Sequence, residues 1–480
     1  MKDCDQKTRN DSAPDKGGFV TGRGFDLSLF PGANPHRRVL DEVVGDRPAY
    51  FRGEDGHTGW ANTLALKAAG ITAETKDPAH GVIERDADGT PSGALREDAI
   101  ELVEVLLPKP TLNDDVAALR WAVTELHKVG ITSIMDAGVD ERRLEAYDVL
   151  AQEGALPLDV VACVVVDPAT PKESLTLAQG LRARFDAAST GRSRLRVRAT
   201  KIYLDGVLEG ETAALLQPYL NHKDPHHTGS INATQAQLNE TVALLEGDGF
   251  QVHMHVIGDA AVRAALAAYA HARGVHGKTD LRGTLAHLQL IDDADLPRFK
   301  ALGVSANAQS LWAYPDTYIV DINTPQVGQA RVDRMYPWGS LAAAGARVVG
   351  GSDWPVSSHN PLDAIEVMVT RKDPRKPSDK ALGRTKTRDE ALTRDQALHA
   401  YTTEGAHLLR QEAVRGVIAV GQRADLAVFD RDLATIPAEE LNAATVIMTI
   451  KDGAVVFDVA KVTTDATTLA ASAAQTNGAP

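Results

Sequence analysis

Apolar, β-rich runs alternate with amphipathic helical stretches, and this pattern limits the fold more than any other feature of the chain. From about residue 111, DDVAALRWAVTELHKVG (114–130) reads as an amphipathic helix with Gly130 at its C-terminal end, and ITSIMDAG (131–138) follows as a buried strand. The helix ERRLEAYDVLAQEG leads to LDVVACVVV (158–166), and LTLAQGLRARFDAA to LRVRATKIYLD (195–205). Further strand-like runs are FQVHMHV (250–256), RGTLAHLQL (282–290), GVSANAQSL (303–311) and ARVVGGSDW (346–354). Runs that are apolar throughout belong to a parallel sheet covered on both faces. Seven are present, whereas a closed (β/α)8 barrel has eight. The expected fold is therefore α/β, a TIM-like barrel whose first strand is missing. A chain of 480 residues has room for such a barrel, about 250 residues, with insertions and a satellite.

Around this core the chain divides as follows. Residues 1–18 are expected to be a polar, disordered lead, and 19–410 the barrel domain with an insertion at 19–110. In that insertion FVTGRGFDLSLF (19–30) begins folded sequence, with Gly22 and Gly24 in a turn. Residues 47–71 read as a strand, a tight loop at 54–59 and a helix from Asn62, and GVIERDADGTPSG as a hairpin turning at Asp88–Gly89. After the last barrel strand come helices at 361–371 and 388–409. RGVIAVGQRADLAVFDRD (415–432) and ATVIMTIKDGAVVFD (444–458) are short antiparallel strands, so 411–460 is expected to be half of a small β-sandwich. The tail 461–480 is low-complexity and expected to be disordered.

A net charge of −14 argues against nucleic acid or an anionic membrane as partner. Two cysteines, Cys4 and Cys163, are too few for a disulfide framework, and no apolar run nears the roughly 20 residues of a membrane span. A cytoplasmic enzyme is expected. Its partners would be a small molecule and, in a homodimer, a second copy of the chain.

The chemistry-bearing residues fall at strand ends. Lys201 lies in RVRATKIYLDG, with Asp205–Gly206 as its stop, and His253 and His255 share one face of the 250–256 strand. Gly258 breaks that strand, and Asp259 is placed to cap the following helix. His287 ends TLAHLQLI, and Asp353 follows the 346–351 run. Singly these signals are weak, since a strand histidine is more often a hydrogen-bonded core residue and an Asp before Trp-Pro a turn cap. Jointly they resemble a metal site, because imidazole nitrogens and a carboxylate suit a borderline divalent cation such as zinc. Such a cation lowers the pKa of its water and polarises a carbonyl, and Asp353 can pass the proton to a leaving amine. A free Lys201 ammonium would repel the cation, so either it is carboxylated or it has a non-metal role. His57, in the 54–59 loop beside Trp60, is a candidate substrate contact together with Trp60 and His253.

GRGFD, RPAYFRGEDGHTGWANTLAL, GITSIMDAG, KIYLDG, HVIGDAA, AHLQLI, GSDWPV and GVIAVGQRADLAVFD together resemble the amidohydrolase superfamily, in its amidohydrolase-3 branch of N-substituted formamide deformylase-like enzymes. The resemblance runs from about Phe19 to Asp458. It implies Lys201, often carboxylated, His255 and His287 as ligands of one or two divalent ions, with Asp353 as ligand and proton shuttle. The activity it implies is hydrolysis of non-peptide C–N bonds in an amide, formamide or cyclic amide, with His287 or a neighbour stabilising the oxyanion. The ligand types also admit iron, manganese or nickel. The sequence departs from that pattern in offering no His-x-His pair before residue 57. The rival expectation is a catalytically impaired barrel acting as a binding or assembly module. Hydrolysis of an ester or lactone by the same site is a third reading.

Overall fold

The computed structural model describes residues 18–186, 194–277, 280–376 and 378–461. The expected disordered lead and tail fall almost wholly outside these residues. Seven parallel strands form the central sheet: β6 (Ser133–Val139), β7 (Asp159–Val165), β8 (Leu195–Tyr203), β9 (Gln251–Val256), β10 (Thr284–His287), β11 (Ser305–Ala308) and β12 (Arg347–Gly350). They pair strictly in chain order, and among the described residues no ladder joins the edge strands β6 and β12. Each expected run became one strand, and helices cover the outside, as in a TIM-like barrel. Side chains facing those helices, such as Val160, Ala162, Val164, Ile202, Val252 and Met254, are buried in the main apolar cluster. The opposite face of β7 and β8 buries Val161, Cys163 and Ala199, which form the barrel's floor.

The insertion is a sheet in its own right. β1 (Val20–Phe25), β2 (Ala49–Gly53), β3 (Thr58–Ala61), β4 (Gly81–Arg85) and β5 (Pro91–Glu97) assemble in the order β1-β2-β3-β5-β4. Gly22 and Gly24, expected in a turn, instead lie within β1, where Gly22 pairs with Phe51. A Cβ on Gly22 would sit 2.5 Å from the Phe51 ring, so the glycine makes room for that ring.

Two helix expectations also fail. Gly258, not Asp259, is the N-cap of the Asp259–His276 helix, and the Asp259 carboxylate accepts the N–H of Leu216 instead. The single helix expected at 388–409 is two, Arg394–Ala400 and Thr403–Leu408. Of the expected strand regions near the C-terminus, 415–432 shrinks to Leu426–Phe429, whereas 444–458 forms two strands along nearly its whole length. β13 (Leu426–Phe429), β14 (Val446–Lys451) and β15 (Ala454–Asp458) form a three-stranded antiparallel sheet.

A buried ionic cluster ties this small sheet to the bottom of the barrel. Lys451 Nζ lies 2.6 Å from Asp159 at the start of β7, 3.1 Å from Asp425 and 3.0 Å from Asp452. Arg415 pairs with Asp159 and Asp425 and donates to Ser133 Oγ. Burial alone would raise the Asp159 carboxyl, but hydrogen bonds and charge from Lys451 and Arg415 outweigh it and hold the group below its ordinary value. Taking one partner from such a cluster strands buried charge, so Lys451→Met should cost about 3 kcal/mol in urea unfolding at neutral pH. A carboxylate held low adds stability above its ordinary pKa of about 3.9 and loses it as pH falls through the depressed value. The gap between wild type and Asp159→Asn should therefore be full at neutral pH and close in acid.

Candidate active site

A cavity of about 850 Å³ opens between the C-terminal ends of the barrel strands and the five-stranded sheet. Strand register decides what faces it. Lys201 lies beside His253 and Tyr203 beside His255 across the β8–β9 ladder, one and two steps above Ala199 of the floor. Alternation puts all four on the interior face. Lys201, Tyr203 and His255 reach the cavity, whereas His253 stays a layer lower, buried, with no partner for its Nδ1.

His287 gets there by a different route. Ala286 is the register partner of His255, so a regular strand would send His287 to the outer face. Its φ of +77°, followed by +53° at Leu288, turns the chain and brings the ring back inside. Left-handed backbone at a non-glycine residue costs about 1–3 kcal/mol and persists only where surroundings enforce it. Here Gln309 accepts the His287 N–H at 2.9 Å and is itself held by Asn307 at 2.6 Å. The ring stacks on Trp312 and sits 4.6 Å from that of His255, centroid to centroid. Asp353, three residues beyond β12, is also left-handed (φ +55°) and exposed at the cavity wall, without a side-chain partner among the described residues.

Charge in the pocket is strongly shaped by burial. Desolvation, with Lys201 and the neighbouring rings, holds His253, His255 and His287 well below the usual imidazole value, so they are neutral. Burial likewise lowers Lys201, against the opposing pull of Asp353, and its Nζ lies 4.8 Å from the Tyr203 ring. His255 Nε2 donates to the Gly206 carbonyl at 3.1 Å, which leaves the Nδ1 lone pair free. Asp205, 3.7 Å from that ring, accepts the backbone N–H groups of Ala214, Ile257 and Gly258 and pins the chain after β8 to that after β9. Burial pushes its carboxyl up to about 7 against those three donors.

His57 comes from outside the barrel, on the β2–β3 hairpin, and its ring lies 5.2 Å from that of His255. Its Nδ1 is 2.7 Å from Glu97, which also accepts from Thr212. Burial pulls the imidazole down, but the Glu97 charge and hydrogen bond outweigh it and push the pKa up to about 9. Trp60, the other candidate contact from this loop, does not line the cavity. It is wholly buried against Phe25, Phe30 and Phe51.

The structure thus brings Lys201, His255, His287, Asp353 and His57 to one cavity, and leaves Trp60 and His253 outside its lining. Sequence reasoning passed over Glu97, Tyr203 and the role of Asp205. Asp205 carried a faint signal as the residue ending a strand that bears Lys201. Glu97 carried none, because its partner lies 40 residues away.

Residues 1–457 match the model of the amidohydrolase family. The chain belongs to that family. It is 28% identical to the Bacillus subtilis protein YtcJ, over 92% of this chain and 80% of that one. It is equally similar, 28% over 92% of this chain and 79% of the other, to N-substituted formamide deformylase of Arthrobacter pascens. A solved structure of an uncharacterized metal-dependent hydrolase from Pyrococcus horikoshii OT3 shares the fold, with a TM-score of 0.64 and 25% identity over 88% of this chain and 79% of that one. Family membership supports a hydrolase. No helix among the described residues is long and apolar enough to cross a membrane.

The His57–Glu97 pair makes a checkable claim about pH. A histidine raised from 6.5 to about 9 adds stability that is whole below 6.5 and lost as pH rises through 9. Glu97→Gln should destabilise the protein by about 2 kcal/mol near pH 6, and the difference from wild type should fade above pH 9 in urea unfolding.

Proposed function

We propose that this protein hydrolyses a non-peptide C–N bond of a small amide, formamide or cyclic amide with the help of a divalent cation, zinc being the metal proposed. The observation that carries this reading is the convergence of Lys201, His255, His287 and Asp353 from four parts of the barrel on one cavity. The donor chemistry fits a cation: the imidazoles are neutral, His287 Nδ1 is buried without a partner, His255 Nδ1 is free and the Asp353 carboxylate is unpaired. Lys201 fits once its Nζ, whose burial works against the ammonium form, is carboxylated by carbon dioxide to an anionic carbamate. A cation bound among these groups would supply a water of lowered pKa and a Lewis acid for the substrate carbonyl.

The remaining work falls to the chain. Asp353 takes the proton of the attacking water and delivers it to the leaving nitrogen, a step that needs its exposed, unpartnered carboxylate. His57, with Nδ1 held by Glu97, turns its Nε2–H toward the oxyanion that develops on the carbonyl oxygen. Gln309 keeps His287 turned inward. The relative named as an N-substituted formamide deformylase supports the choice of amide substrates.

Two variants test the reading against a panel of small formamides, cyclic amides and lactones. Asp353→Asn should lower amide turnover by about 10²–10⁴-fold, and His255→Ala should lower both turnover and bound metal. Unchanged metal content together with unchanged amide hydrolysis in both variants would sink the proposal.

A further inference from the structure

The connection after β8 carries a histidine-rich stretch, HKDPHH (222–227), that the proposed reaction does not use. It folds over the cavity rim and brings His222 and His227 against Glu211. The three are half-buried, and one donor atom from each lies within 4.8 Å of the others. Among the described residues no other group of His, Cys, Asp and Glu meets that spacing, so His255, His287 and Asp353 are more widely spread.

We infer that Glu211, His222 and His227 form a second site for a borderline divalent cation of the zinc class, separate from the proposed catalytic one. The two rings stack with centroids 3.9 Å apart and planes within 27°. A tetrahedral ion with ligands at 2.0–2.2 Å needs donors about 3.4 Å apart. With every pair of donor atoms within 4.8 Å, a shift of at most about 1.4 Å in half-buried side chains closes each gap to that distance.

The outer contacts of both rings suit ligation. His227 Nε2 donates to the Glu211 carbonyl at 2.6 Å, fixing the proton there and leaving Nδ1 as the free donor atom. His222 Nδ1 lies 3.2 Å from the Asp224 carbonyl, which can take its proton and free Nε2, the atom that faces Glu211 at 3.8 Å. A ligating histidine typically gives its second ring proton to a carbonyl in this way, which sets tautomer and orientation. In the absence of an ion the same Nδ1 can accept the Asp224 N–H at 3.0 Å, so the tautomer switches when the site fills. Two imidazoles and a carboxylate leave a fourth position for water or for a cavity occupant. An ion there closes the chain from Glu211 to His227 into a loop clamped over the pocket.

The test is equilibrium dialysis of the full, chelator-treated chain against Zn²⁺ alone, with metal per chain read by elemental analysis. His222→Ala and His227→Ala should each bind one equivalent fewer than wild type, while His255→Ala retains the equivalent that they lose. That pattern holds even if the catalytic reading is wrong, since His255→Ala would then match wild type. Glu211→Gln, which preserves the fold-making backbone carbonyl, should weaken the same equivalent at least tenfold and serves if an alanine variant fails to fold. Zinc stoichiometry and affinity identical to wild type in the folded variants would overturn the inference.

Discussion

The ladder between β8 and β9 is the interaction on which the pocket depends. Its register places Lys201 beside His253 and Tyr203 beside His255. A slip of one residue would turn every one of these side chains outward into the apolar layer under the helices, because side chains alternate along a strand. Asp205 locks that register from above, since its carboxylate gathers three backbone N–H groups from two separate connections. Strand pairing here fixes chemistry as much as it fixes the fold.

Where the ladder alone is insufficient, backbone conformation supplies the rest. His287, at the end of β10, and Asp353, three residues beyond β12, are both held left-handed, and both line the cavity. A regular continuation of β10 would have buried the imidazole on the far side. The strain is borne by packing, with Trp312 against the ring and Gln309 on the N–H.

The barrel was legible in the sequence because seven apolar runs, each flanked by helical periodicity, leave little room for another arrangement. Lys201, His255, His287 and Asp353 were legible for the same reason: each sits where one of those runs stops. What escaped depended on partners far away in the chain. Glu97 acquires its role only when the β5 end meets the β2–β3 hairpin, and Trp60 looked accessible until Phe25 and Phe30 closed over it. Gly22 read as a turn, but its lack of a side chain serves the Phe51 ring on the next strand. Asp259 stands where a helix cap belongs, yet a neighbouring connection claims its carboxylate.

His57 enters the cavity on a hairpin of the five-stranded sheet, not on a barrel strand. The pocket is thus a seam between two separately built bodies, with Lys201, His255, His287 and Asp353 on one bank and His57 on the other. Changes in the 54–59 loop can reshape what is admitted while the barrel bank stays as it is. The two banks are thereby free to change on different pieces of backbone.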